Sequence, residues 1–235
     1  MLEALLWGAI ASSSLVLGAW LATLRRWSDA VVGMVLAFGA GALIAGVSFE
    51  LAEAGVTEGG PVAVGVGLAA GALAYFFADR AVEQRSGRGG GGASGVPLAV
   101  GALLDGVPEQ AVLGIGLATG DGVSLALLVA VFVSNLPESV GSSADMLGDG
   151  RSRRFVLLLW IGVAAVCTLA AVAGRAIAEV ASPTLTGVVD GFAAGALLVM
   201  LVDAMISEAR AKGGQVAGLA TVVGFAAAAA LSLLA

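Results

Sequence analysis

Charged positions in this chain are sparse and gathered into short breaks, and the stretches between them are long and apolar. Apolar runs fall at 2–24, 30–52, 61–79, 97–119, 122–144, 155–178, 186–207 and 215–235. A helix that crosses a bilayer needs about 20 mostly apolar residues, and each run is near that length. The pattern predicts an all-α integral membrane protein with eight transmembrane helices, one polytopic domain over residues 1–235. The breaks carry turn chemistry: Arg25-Arg26-Trp27-Ser28-Asp29, then Glu58-Gly59-Gly60-Pro61, then a Gly/Ser/Arg stretch between Arg80 and Gly95. Only the last is long enough for a linker, and its composition reads as a flexible Gly-rich loop over 80–96.

Composition sharpens the class. Hydrophobic residues make up 59% of the chain and charged residues 12%, with a mean hydropathy of +1.03, whereas a soluble domain carries about a quarter charged residues. The net charge of -6 leaves no basic footprint for a nucleic acid, so none is expected as a partner. The partners it does imply are the lipid bilayer and small cations, with a homodimer left open. A single cysteine, Cys167, excludes an intramolecular disulfide and reads as a small apolar residue packed in a helix. The first run begins with Glu3 rather than a basic stretch and is too long for a signal-peptide core, so it reads as a retained helix.

Basic residues set the expected orientation, because Lys and Arg accumulate in cytoplasmic loops. Ten of the eleven fall in alternate breaks: Arg25 and Arg26; Arg80, Arg85 and Arg88; Arg151, Arg153 and Arg154; Arg210 and Lys212. Only Arg175, at the far end of the sixth run, departs from this. Both termini should then face away from the cytoplasm, in the cell membrane. Trp20, Trp27 and Trp160 near segment ends fit an interfacial aromatic belt.

Two internal likenesses follow. Phe38-Gly39-Ala40-Gly41-Ala42-Leu43 in the second run matches Phe192-Ala193-Ala194-Gly195-Ala196-Leu197 in the seventh, although those helices run in opposite directions. This suggests inverted repeats in a 3+2+3 arrangement around the fourth and fifth helices; shared Gly/Ala composition alone also produces such likeness. The fourth run reads Leu104-Asp105-Gly106-Val107-Pro108-Glu109-Gln110 and the fifth Val133-Ser134-Asn135-Leu136-Pro137-Glu138-Ser139. Positions i and i+4 share a helix face, so Asp105 stacks with Glu109 and Ser134 with Glu138. Each proline lacks an N–H, so the carbonyls of Leu104 and Val133 lose a helix donor beside the carboxylates. At 1.5 Å per residue Asp105 and Ser134 lie at matching depth, about 12 Å from the boundary of a roughly 30 Å core. A carboxylate there costs about 3 kcal/mol or more, so several together point to a cation, a proton or a water path.

The Pro-Glu pair on helices four and five, the eight spans, the outward termini, the long loop after helix three and the Phe-x-x-Gly-Ala-Leu motifs together resemble the ZIP (Zrt/Irt-like) family of divalent metal transporters, over nearly the whole chain. In that family helix four usually reads His-Asn-x-Pro-Glu-Gly and helix five carries a related motif, lining a binuclear site. By resemblance, Asp105, Glu109, Ser134 and Glu138 surround one metal, and Asn135 with the two glutamates a second. Departures are plain: Asp105 stands for the usual His, Gly106 for Asn, Ser134 and Asn135 for stronger ligands, and the chain has no histidine at all.

What this implies is a secondary transporter, not an enzyme, with no cofactor besides the metal it carries. Resemblance indicates zinc. An oxygen-only ligand set equally suits manganese or iron. A divalent cation gains about 4.6 kcal/mol from a 100 mV inside-negative potential, which favours import. A family homologue that has lost transport and acts as a membrane sensing or interaction protein is the alternative that the altered ligands raise. An intramembrane aspartyl hydrolase is disfavoured because Asp105 lacks a second aspartate at its depth. Among the remaining acids, Glu50, Glu53 and Glu58 suggest an acidic vestibule or a solvated loop edge. Asp203 and Glu208 can pair with Arg210 or Lys212, and Asp145 and Asp149 either receive an ion or pair with Arg151 to Arg154.

Overall fold

The computed structural model describes residues 1–25, 27–86, 95–118 and 123–232, without the side chains of 83, 85, 86, 95–102 and 105. Helix accounts for 93% of the described residues, and no strand occurs among them. Helix α1 is Leu2–Leu24 and α2 is Asp29–Gly59, with a π-helical segment at Val47–Glu53. Then follow α3 (Pro61–Ser86), α4 (Gly95–Gly116), α5 (Leu125–Gly148) and α6 (Arg153–Val180). Helix α7 covers 183–213 with a π-helical segment at Leu201–Ile206, and α8 is Ala217–Ser232. Six stretches among the described residues are long and apolar enough to cross a membrane. The last, Pro183–Ser232, is turned at Gly214 (φ 66°), which divides it into two apolar arms.

Helix ends depart from the apolar runs because caps and polar turns, not hydropathy, set them. Serine hydroxyls accept from the backbone N–H three residues on at the starts of α2 (Ser28), α5 (Ser124), α6 (Ser152) and α7 (Ser182). Ser182 with Pro183 at the first helical position starts α7 three residues before the run predicted from 186. Ser124 likewise moves the start of α5 to Leu125 from 122. Helix α2 continues to Gly59 rather than 52, where Gly60 (φ 84°) turns the chain. The expected loop over 80–96 is shorter: Arg80 to Ser86 extend α3, and α4 starts at Gly95. Positions 87–94 lie outside the described residues.

Small residues bring the helices together: α3 lies along α7, α8 along α2, α4 along α6, and α1 against both α5 and α6. A Cβ at Gly71 on α3 would collide with the carbonyl of Phe192 on α7, and one at Gly224 on α8 with the carbonyl of Phe38 on α2. Gly33 on α2 abuts the backbone of Gly213, and Gly187 on α7 abuts that of Gly59. The two π-helical segments each follow an 18-residue α-helical stretch, Asp29–Gly46 and Pro183–Met200. Large apolar side chains such as Val62 and Phe77 on α3, Leu158 and Leu169 on α6 and Leu219 and Val222 on α8 are exposed, a surface suited to lipid rather than water. Trp160 is an exception to the aromatic-belt reading, since it is fully buried beside Leu15 and Cys167.

Ion pairs mark the two ends of the bundle. At the end carrying Met1, Arg175 Nη1 lies 2.6 Å from Glu3 and its Nε 2.7 Å from Glu179. At the end carrying the basic turns, Lys212 pairs with Glu208 at 2.6 Å.

Candidate metal centre

Helices α4 and α5 continue through Pro108 and Pro137, and both Pro-Glu turns face the interior. Glu109 is 1% exposed, Ser134 and Asn135 are fully buried, and Glu138 is half-buried. The Ser134 hydroxyl lies 3.4 Å from both Glu109 carboxylate oxygens and 3.0 Å from the Val131 carbonyl. One hydroxyl hydrogen cannot serve all three, so the shorter bond to Val131 holds it and leaves an oxygen lone pair beside Glu109. The Phe38-Gly39 motif has a structural use here: a Cβ at Gly39 would stand 2.9 Å from Ser134 Cα, so α2 closes directly over this turn. The structure therefore brings Glu109 and Ser134 together. The Asp105 side chain lies outside the described residues, and among those described no three His, Cys, Asp or Glu side chains gather into one metal-holding group.

Two buried amides stand out. Both side-chain polar atoms of Asn135 and both of Gln110 lack a hydrogen-bond partner while fully buried. Such groups cost about 1–3 kcal/mol each unless something completes them. Asn135 belongs to the site by resemblance; Gln110, although it follows Glu109 directly, carries no such signal, because sequence does not reveal which helix face is enclosed. Cys167 also gains a context. Its Sγ fills the space beside Gly106, 2.8 Å from where a Cβ there would stand. A side chain at 106 would crowd Cys167, so Gly106→Asn should cost about 2 kcal/mol through overpacking, and Gly106→Asn with Cys167→Ala should recover most of it. Thermal midpoints of the purified proteins in detergent check this; an unshifted single variant would refute the packing.

The surroundings of the centre differ at its two ends. Toward the Met1 end, Leu51, Val112, Leu113 and Leu127 are buried, and above them opens a cavity of about 550 Å³ walled by Glu50, Glu53 and Glu58. Ser232 donates to Glu50 Oε1 at 2.8 Å. The three glutamates thus share a cavity rather than a mere loop edge. Toward the basic turns, Glu138 shares a small cleft with Met200, Met205 and Glu208, and Glu208 is held by Lys212. Asp203 is exposed. Asp145 and Asp149 line a separate hollow of about 1040 Å³ with Arg25, Arg151 and Arg153.

No family model matches the chain, and no curated protein does. The likeness to ZIP transporters therefore rests on the quoted motifs.

Proposed function

We propose that this protein is a divalent-metal transporter of ZIP-like design, carrying zinc, manganese or iron(II) inward across the cell membrane between α4 and α5. The observation that carries the reading is the juxtaposition of Glu109 with Ser134 in a closed interior that also holds unpartnered Asn135 and Gln110. A carboxylate enclosed among apolar helices is costly without a counter-ion, and the spare oxygen lone pairs around it are those a cation would use. Asp105, Glu109, Ser134, Asn135 and Glu138 form the ligand set, and the metal is cargo rather than a resident cofactor. In this reading the bundle has eight spans, both termini outside, with α1 to α3 and α6 to α8 as inverted repeats. The matched contacts of Gly71 with Phe192 and Gly224 with Phe38 support that symmetry, as do the equal 18-residue stretches before the π-helical segments.

Uptake of zinc and manganese by the protein in liposomes tests the proposal, and a chain that moves neither ion would instead be the transport-inactive sensing form. Within that assay Asp105→His should raise the zinc-to-manganese ratio about tenfold, or about 1.4 kcal/mol, because a neutral, softer imidazole replaces a carboxylate. Asp145→His, in the separate arginine-lined hollow, should leave the ratio alone. Parallel changes in both metals on Asp105→His would remove Asp105 from the ligand set.

A further inference from the structure

A buried acid outside the central site has an unpartnered carboxylate oxygen. Asp190 lies on α7, about 10 Å along the helix from its start at Pro183, and is 4% exposed, with no hydrogen-bond partner for Oδ1. It lines a cavity of about 300 Å³ at the Met1 end, together with Glu50 and Glu58 from α2 and Ile115 and Gly116 from α4. No lysine or arginine lines this cavity among the described residues, and Arg175, the basic residue of that end, is engaged by Glu3 and Glu179. Packing does not explain the acid either. The position matching Asp190 in the Phe38/Phe192 alignment is Leu36, which is 1% exposed. The same helix position in the other half is thus filled by an apolar side chain.

We propose that this cavity is a second, peripheral cation site, in which Asp190 anchors a hydrated divalent ion with Glu58 and Glu50 as its outer wall. The three carboxylates do not converge into a direct ligand group, so they hold the ion largely through its water. That is the mode hard divalent cations prefer, keeping several waters and binding through one or two carboxylates. The volume agrees: six waters at about 30 Å³ each fit within the cavity with room for the ion. Close approach of α2 makes the site narrow, since a Cβ at Gly55 would stand 2.9 Å from Asp190 Cβ and 3.3 Å from its Oδ2. The site sits beside the end of α4 that leads to Glu109, so it gathers ions where the path to the centre begins.

The choice of cation rests on the transport reading, and the test separates the two. Manganese(II) binding is followed by electron paramagnetic resonance on the purified protein and on Glu109→Gln/Glu138→Gln, which removes two of the three central carboxylates and leaves Asp105. The double variant should keep one weak manganese site, and adding Asp190→Asn should weaken it at least tenfold. The near-isosteric Asp190→Asn preserves shape, and Glu58→Gln, on the open side of the cavity, should produce a smaller loss in the same background. Unchanged manganese binding on adding Asp190→Asn overturns the proposal. So does a double variant with no residual site, which would mean that a proton occupies Asp190. Equal binding by the wild type and the double variant would instead count against the central site, and the Asp190 arm would still be read.

Discussion

Glu109→Gln should lower metal uptake about tenfold or more while leaving the amount of folded protein in the membrane nearly unchanged. The two outcomes come apart because they depend on the charge with opposite sign. Glu109 is 1% exposed, and removing a charge buried to that degree eases insertion, whereas a cation loses a ligand and one of the three carboxylate charges that compensate it. Glutamine keeps the shape and one acceptor oxygen, so the contact with Ser134 at 3.4 Å survives sterically. Glu138→Gln should behave alike with a smaller folding gain, since Glu138 is only half-buried. Ser134→Ala should cost only about two- to threefold, because a neutral hydroxyl oxygen is a weaker cation ligand than a carboxylate. Normal uptake in both glutamine variants would rule out the site.

Much of this centre was legible because charge inside an apolar run is rare and its position can be counted. Glu109 and Glu138 announced themselves in that way, and so did the Gly-Ala stretches around Phe38 and Phe192. Asp190 carries the same signal, an acid in the run at 186–207, without a Pro-Glu motif to mark it. Other features were beyond the sequence for a physical reason. That Cys167 fills the gap at Gly106, and that Gln110 is enclosed, depend on which helix covers which face, a property of packing between segments distant in the chain. Helix ends were misplaced where a serine cap or a glycine turn, rather than hydropathy, stops the helix, as at Ser182 and Gly60. The π-helical segments at Val47–Glu53 and Leu201–Ile206 left no compositional trace.

The interlocking of the two halves leads to a test of stability. Gly71→Ala and Gly224→Ala should each destabilise the protein by about 2 kcal/mol, although alanine is the better helix former by about 1 kcal/mol. At both positions the added methyl meets a backbone carbonyl, of Phe192 and of Phe38 respectively, and a carbonyl in a helix cannot turn aside as a side-chain tip does. Gly65→Ala on α3 and Gly218→Ala on α8 are the matched controls, since nothing lies within 4 Å of a Cβ at either. There the propensity gain acts alone, and stability should rise slightly or stay level. Thermal midpoints in detergent read all four. Because Gly71 and Gly224 occupy corresponding places in the two proposed repeats, their losses should agree within about 0.5 kcal/mol. A large loss at one and none at the other would mean that the halves are packed by different rules. The repeat would then be a likeness of composition only.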